Sequence, residues 1–215
     1  MEHWESLGIE NYGIYQDKAL GCFTEDPVRL VHFMRAGKKD TAVDLGTGTG
    51  IIAIYANALY GCAFTGLDTD GAVLQLARAS AKRNGQEIPF LEADVSRAAE
   101  LLPKGHFSVV TCNPPYFSGG TAPVDEKRGG QRFTSSREPF IGAAAALLKN
   151  GGRLYLCARA EALPALSHML LTYSLPPKRI HLLTRNGRAV TALIECKKGA
   201  REGAVITVEA YGSTD

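Results

Sequence analysis

The sequence predicts an α/β fold built on a mostly parallel, seven-stranded sheet that closes with a C-terminal antiparallel hairpin. Three observations predict it. Short apolar runs alternate with longer amphipathic ones between residues 41 and 157, the pattern of βαβ units. A glycine turn, Gly46-Thr47-Gly48-Thr49-Gly50, stands where the first of these strands gives way to the first helix, so the backbone there can pass close beneath a ligand. In the final third, Asn186-Gly187 separates two strand-like runs, a strong local hairpin signal.

Taken in order, strands are expected at residues 41–45, 63–68, 89–92, 107–112 and 153–157. Helices are expected at 50–60, 70–84 and 135–149, the last ending at Asn150-Gly151-Gly152, a common C-terminal stop. A further helix over 161–173 is stopped by Pro176-Pro177. The hairpin strands fall at 179–184 and 190–196, and the weaker alternation of 203–210 reads as a short last strand. Ahead of the core, Thr24-Glu25-Asp26-Pro27 followed by Val28, Leu30, Val31 and Met34 reads as a capped helix with proline in its first turn. Residues 118–134 have no periodicity and are rich in glycine and charge; a connection that long in a compact domain is usually functional. The 215 residues are expected to form one domain, with 1–40 covering the site and 41–215 as its core.

Composition excludes several classes. With 45% hydrophobic and 21% charged residues, the chain is an ordinary α/β sequence rather than a disordered or fibrous one. No apolar run approaches bilayer length, so no membrane partner and a cytoplasmic location are expected. The 5 cysteines and 5 histidines are scattered, without disulfide-framework or zinc spacing, so no metal is expected. A net charge of +2 does not itself argue for a polyanionic partner. Basic residues nevertheless cluster: Lys127, Arg128, Arg132 and Arg137; Lys178, Arg179, Arg185 and Arg188; Lys197, Lys198 and Arg201. Each cluster suits a solvated surface; sharing a face with the site would let them contact phosphates.

The glycine turn belongs to the run Asp44-Leu45-Gly46-Thr47-Gly48-Thr49-Gly50. Ile51 follows where a dinucleotide fingerprint would continue towards its third glycine, and no Lys-Ser or Lys-Thr pair marks a phosphate loop. A ligand with a nucleoside and an amino acid but no phosphate fits better. Asp68 ends the second strand, where a carboxylate can accept both ribose hydroxyl protons. Asp94 follows the third, where it can accept from an adenine amino group, and Asp44 can hold an ammonium group. Any one of these acids could instead cap a helix or turn. Together with Gly46, Thr47, Gly48 and Gly50 they match S-adenosylmethionine.

Asn113-Pro114-Pro115-Tyr116-Phe117 follows the fourth core strand, at the carboxyl edge where α/β folds place chemistry. An exocyclic amine on adenine has its lone pair delocalised into the ring. Asn113 can accept one N–H through its side-chain oxygen and the Pro114 carbonyl the other, favouring a pyramidal nitrogen. Two prolines stiffen that geometry. Tyr116 offers a flat face for a base or an amide, extended by Phe117. Asn113 also borders the cofactor turn, and a base in folded RNA would first be turned out of its stack.

These residues resemble the class I methyltransferases with an Asn-Pro-Pro-Tyr motif, a Rossmann-like family. A narrower resemblance is to the bacterial valine-tRNA adenine-N6 methyltransferases, which modify the adenine beside the anticodon. It rests on Gln16-Asp17-Lys18, Phe23-Thr24-Glu25-Asp26, the glycine-turn run with Ile51-Ile52, Thr111-Cys112 leading into Asn113 to Phe117, and Pro177-Lys178-Arg179-Ile180. The resemblance implies that the N-terminal segment covers the cofactor, and that Lys127, Arg128, Arg132, Lys178, Arg179, Arg185 and Arg188 help to hold tRNA. A monomer or weak homodimer is expected. The chain departs from the family at Gly130-Gln131-Arg132, where a basic-acidic triplet is usual, and at Pro27 and Arg29. Release-factor glutamine methyltransferases use the same motif on an amide but carry a helical N-terminal domain, whereas only about forty residues here precede the core. Other RNA or DNA base methyltransferases, a small-molecule enzyme and a non-catalytic cofactor-binding module are the remaining alternatives.

Overall fold

Residues 2–9, 11–17, 25–113 and 137–211 are described by the computed structural model of the chain. The N-terminal strands β1 (Glu2–Ser6) and β2 (Gly13–Asp17) form an antiparallel hairpin of their own. Helix α1 (Glu25–Phe33) leads into β3 (Thr41–Leu45), α2 (Ile51–Tyr60), β4 (Ala63–Asp68), α3 (Gly71–Arg83) and β5 (Phe90–Glu92). A 3₁₀ turn (Val95–Arg97) and α4 (Ala98–Leu101) precede β6 (Phe107–Cys112). Then come α5 (Glu138–Leu147), β7 (Leu148–Arg159), α6 (Leu163–Thr172), β8 (Pro177–Arg185), β9 (Arg188–Lys197) and β10 (Val205–Ala210).

The main sheet has the order β10-β8-β9-β7-β6-β3-β4-β5. Its strands share one direction except β9, which pairs antiparallel with both β7 and β8. The short last strand expected at 203–210 is β10, and it makes the sheet eight-stranded rather than seven-stranded: it crosses to the outer side of β8 and pairs with it in parallel. Neighbours alternate between two cores, as period-2 side-chain geometry requires. Ala42, Phe64, Val109, Tyr155 and Cys157 face α1, α2 and α3. Val43, Leu45, Leu67, Val110, Leu154 and Leu156 face α5 and α6.

The structure departs from the sequence reading most in two boundaries and one hairpin. Helix α5 ends at Leu147 rather than Lys149, because Leu148 is already extended and pairs with Phe107. Strand β7 thus begins five residues earlier than 153, with an irregularity between Phe107 and Val109 that absorbs the glycines. The β1–β2 hairpin was not anticipated: it rests on α3, where Ser80 Oγ accepts the Tyr15 amide at 2.8 Å and Asn84 pairs with the Gly13 backbone at 3.1 and 2.7 Å. The Arg83 guanidinium lies 4.0 Å over the Trp4 ring.

Gly50 shows why the turn cannot carry a side chain. Its φ is 81°, and an added Cβ would sit 3.1 Å from Ala77 Cβ, 3.1 Å from Phe90 Cζ and 3.2 Å from Ile54 Cδ1. Gly48 has a φ of 54° but nothing near its absent Cβ. Gly50→Ala is therefore expected to lose about 2–4 kcal/mol from left-handed strain plus overpacking, and Gly48→Ala about 1–2 kcal/mol from strain alone. Denaturant midpoints of the two variants should differ in that order; equal midpoints would refute the packing argument.

Candidate functional site

The sheet register aligns the functional residues before any side chain is considered. Leu45 lies opposite Leu67 on one side and Cys112 on the other, so continuing each strand by one residue sets Gly46 level with Asp68 and Asn113. Asp68 is in turn level with Glu92, and Asp94 follows two residues on. Asn113, the glycine turn, Asp68 and Asp94 thus form one row along the carboxyl edge, the edge that serves binding in open α/β sheets.

The turn is held by its neighbours. The Leu67 carbonyl accepts the amides of Gly46 and Thr47 at 2.8 and 2.9 Å. Asp68 Oδ2 accepts the Gly48 amide at 2.8 Å, and its Oδ1 accepts the Asp70 amide at 3.1 Å. Burial raises the Asp68 carboxyl above the ordinary range, with these backbone donors opposing the rise. Each carboxylate oxygen keeps a second lone pair for a ribose hydroxyl. Phe140 of α5 braces the turn from below, 3.2 Å from where a Gly46 Cβ would stand.

Asp44 is 1% exposed. The Thr111 hydroxyl donates to its Oδ1 at 2.7 Å, while Oδ2 has no hydrogen-bond partner among the described residues. Burial pushes the Asp44 carboxyl up to about 6, and the Thr111 bond opposes that rise. The Thr47 hydroxyl lies near enough to ease it too, short of a formed hydrogen bond, and its Oγ1 is likewise buried without a partner. A buried acceptor lacking a donor is costly, and an ammonium group is the donor such a carboxylate lacks. Asn113 Oδ1 is the third buried oxygen of this edge with no partner among the described residues. Orphaned acceptors beside an open glycine turn fit a ligand with an amino acid at one end and a nucleoside at the other.

The remaining expected residues divide. Asp94 is exposed and caps the 3₁₀ turn, its Oδ1 accepting the Ser96 amide at 2.8 Å; the other oxygen remains for an adenine amine. Arg185 and Arg188 face each other across the β8–β9 hairpin. Because β9 runs against the sheet, this tip reaches the carboxyl edge, where Arg159 also ends β7 opposite Thr191. Lys178 stands at the far end of β8, the amino edge, with Nζ on the Arg201 carbonyl at 3.2 Å. Arg179 is engaged within the fold, 2.7 Å from Glu195, 3.0 Å from the Phe33 carbonyl and 4.1 Å over the Phe33 ring. Of the cluster Lys178, Arg179, Arg185 and Arg188, strand direction thus brings only the two hairpin-tip arginines to the site's edge and carries Lys178 and Arg179 to the opposite one. Pro114, Tyr116, Phe117, Lys127, Arg128 and Arg132 lie outside the described residues. Phe140 was missed, and Thr111 was noted only as part of the run leading into Asn113, without a role; strand register and helix packing reveal what each does.

No helix among the described residues is long and apolar enough to cross a membrane. Residues 27–174 match the family model of the methyltransferase small domain. The chain is 29% identical over 162 residues to the tRNA1(Val) (adenine(37)-N6)-methyltransferase of Histophilus somni, covering 71% of this chain and 66% of that protein. It is 44% identical over 84 residues to the ribosomal protein L11 methyltransferase of Thermus thermophilus, covering 39% of this chain and 31% of that protein. The chain thus spans between about a third and two thirds of these curated relatives. Among solved structures, a predicted O-methyltransferase of Agrobacterium tumefaciens superposes with a TM-score of 0.69 at 24% identity, over 87% of this chain and 89% of that one. With the glycine turn, the acidic row and the family match in agreement, the chain belongs to the methyltransferase small domain family and has the class I methyltransferase fold, and the cofactor that family and fold imply is S-adenosylmethionine.

Proposed function

We propose that this enzyme methylates a planar exocyclic nitrogen, the N6 of an adenine in tRNA, specifically the adenine beside the anticodon of valine tRNA. The observation that carries the reading is Asn113: a buried side-chain acceptor with no hydrogen-bond partner among the described residues, level with the cofactor turn and opening an Asn-Pro-Pro-Tyr segment. The tRNA-modifying relatives supply the substrate class. The likeness to the ribosomal protein enzyme is confined to 84 residues and does not by itself favour a protein target.

In this reading the N-terminal segment covers the site within a single domain. Asp44, Asp68 and Asp94 hold the ammonium, ribose and adenine of the cofactor around Gly46, Thr47, Gly48 and Gly50. S-adenosylmethionine supplies an electrophilic methyl group on a sulfonium sulfur. Asn113 Oδ1 and the Pro114 carbonyl accept the two N–H groups of the target amine and draw its lone pair out of conjugation. Tyr116 and Phe117 stack on the base. With the methyl donor bound, the nitrogen would take the methyl group, the neutral thioether would leave and one amine proton would pass to water, so the chain's own contribution is positioning and local dipoles. Arg185 and Arg188 contact tRNA phosphates beside the site.

Incubation with methyl-labelled S-adenosylmethionine and unmodified bulk tRNA should place label on N6-methyladenine of a valine tRNA. Label on protein glutamine, or on no RNA, would overturn the assignment.

A further inference from the structure

The C-terminal strand has a role that its exposure conceals. β10 is the sheet's outer strand, and Val205, Ile206 and Val208 are more than half exposed. Beyond β8, its Glu209 and the Tyr211 that follows it reach helix α1. The Tyr211 hydroxyl donates to Asp26 Oδ1 at 2.6 Å, and Arg29 Nη1 meets Glu209 Oε1 at 3.1 Å. Asp26 and Arg29 are three apart on a helix, hence on one face. Glu209 and Tyr211 are two apart on extended chain, hence also on one face. The match continues one turn later, where Phe33 stacks on His181 of β8 at 6.2 Å between ring centroids. Burial, reinforced by Asp26, pushes the Tyr211 phenol up to about 12, so it stays a donor at neutral pH.

Tyr211 also touches the hairpin. Its hydroxyl lies 3.3 Å from Thr191 Oγ1 of β9, and the Arg185 guanidinium sits 5.2 Å from its ring centroid. The Tyr211 amide donates to the Thr184 carbonyl at 2.8 Å, which fixes the ring beside Arg185. One residue near the end of the chain therefore contacts α1, which follows the N-terminal segment, and the arginine tip at the carboxyl edge. We infer that Tyr211 is a positioning residue for the polyanionic substrate: it clasps α1 to the sheet edge and aims Arg185 across the site, so that segment and tip flank the target together. This rests on the RNA reading proposed above.

Two variants separate the hydroxyl from the ring, which lies between Arg29 of α1 and Arg185. Tyr211→Phe removes the hydroxyl but keeps the ring; Tyr211→Leu removes both. Hydrogen exchange of residues 25–33 should quicken about tenfold in each, the loss of one hydrogen bond to a charged group. KM for tRNA should rise about 2–3-fold in Tyr211→Phe and about 5–10-fold in Tyr211→Leu, as the ring's cation–π contacts with Arg185 at 5.2 Å and Arg29 at 4.9 Å are lost, with kcat and S-adenosylmethionine affinity nearly unchanged. Unchanged cofactor affinity also excludes global unfolding, and Tyr211→Phe retains a clasp test if the leucine variant folds poorly. Unaltered exchange in both, or a fall in kcat at constant KM, would overturn the proposal. If wild-type protein bound no RNA, the underlying reading would fail and the arginine role with it. If wild type bound RNA and Tyr211→Leu bound it equally well, the positioning role alone would fail.

Discussion

Asn113→Ala is expected to abolish methyl transfer while leaving cofactor binding intact, with kcat reduced by about two to three orders of magnitude. The physical reason lies in the state of the side chain. Asn113 Oδ1 is buried and has no partner among the described residues, so its removal breaks no hydrogen bond of the described fold and relieves a desolvation cost of about 1–3 kcal/mol. The variant should therefore be at least as stable as wild type, apart from a small loss of packing. Inactivity with a preserved melting temperature and preserved S-adenosylmethionine affinity, read by calorimetry, would separate a chemical role from a structural one. Turnover within tenfold of wild type would remove Asn113 from the reaction.

The row that contains Asn113 was legible in the sequence because each member ends a strand. Asp44, Gly46, Asp68 and Asn113 sit at junctions where a short apolar run stops, and a parallel sheet brings such junctions together whatever its strand order. Contacts made through the body of an element were not legible. Thr111 and Phe140 lie inside an apolar strand and an apolar helix, where periodicity reports burial but not the neighbour. Where each basic residue of a cluster stands was not legible for a related reason. Lys178, Arg179, Arg185 and Arg188 are close in sequence, yet a strand of 9 residues separates its own ends by about 25–30 Å. Strand direction decides which pair reaches the site, and direction is a property of the assembled sheet. The β1–β2 hairpin escaped because its strands are 5 residues each and are held by α3 rather than by a strong pattern of their own.

Asp44→Asn should reverse the usual relation between mutation and stability: cofactor affinity falls by about a hundredfold or more, while the unliganded protein becomes harder to unfold. The Asp44 carboxyl rises from 3.8 to about 6 because burial penalises its charge, a difference of about 3 kcal/mol between the two protonation states. The raised value fixes the sign of the pH effect. In the folded protein Asp44 keeps its proton up to about pH 6, whereas the unfolded chain loses it near 3.8. The stabilising contribution is complete below the unfolded value and is lost as pH rises through that window, so at neutral pH the ionised carboxylate weakens the fold. An asparagine removes the charge and lets Thr111 keep its bond, with Thr47 Oγ1 an acceptor beside the new amide. Allowing for imperfect satisfaction, the net gain is about 1–2 kcal/mol, or roughly 2–8 °C in melting temperature. The cofactor's ammonium group needs the ionised form, so wild-type affinity should weaken towards tenfold per unit as pH falls below about 6, and this dependence should vanish in Asp44→Asn. Calorimetric titrations of both proteins between pH 5 and 8 test the pair of claims. An asparagine variant that bound S-adenosylmethionine as well as wild type, or wild-type affinity flat across that range, would show that Asp44 does not carry the ammonium.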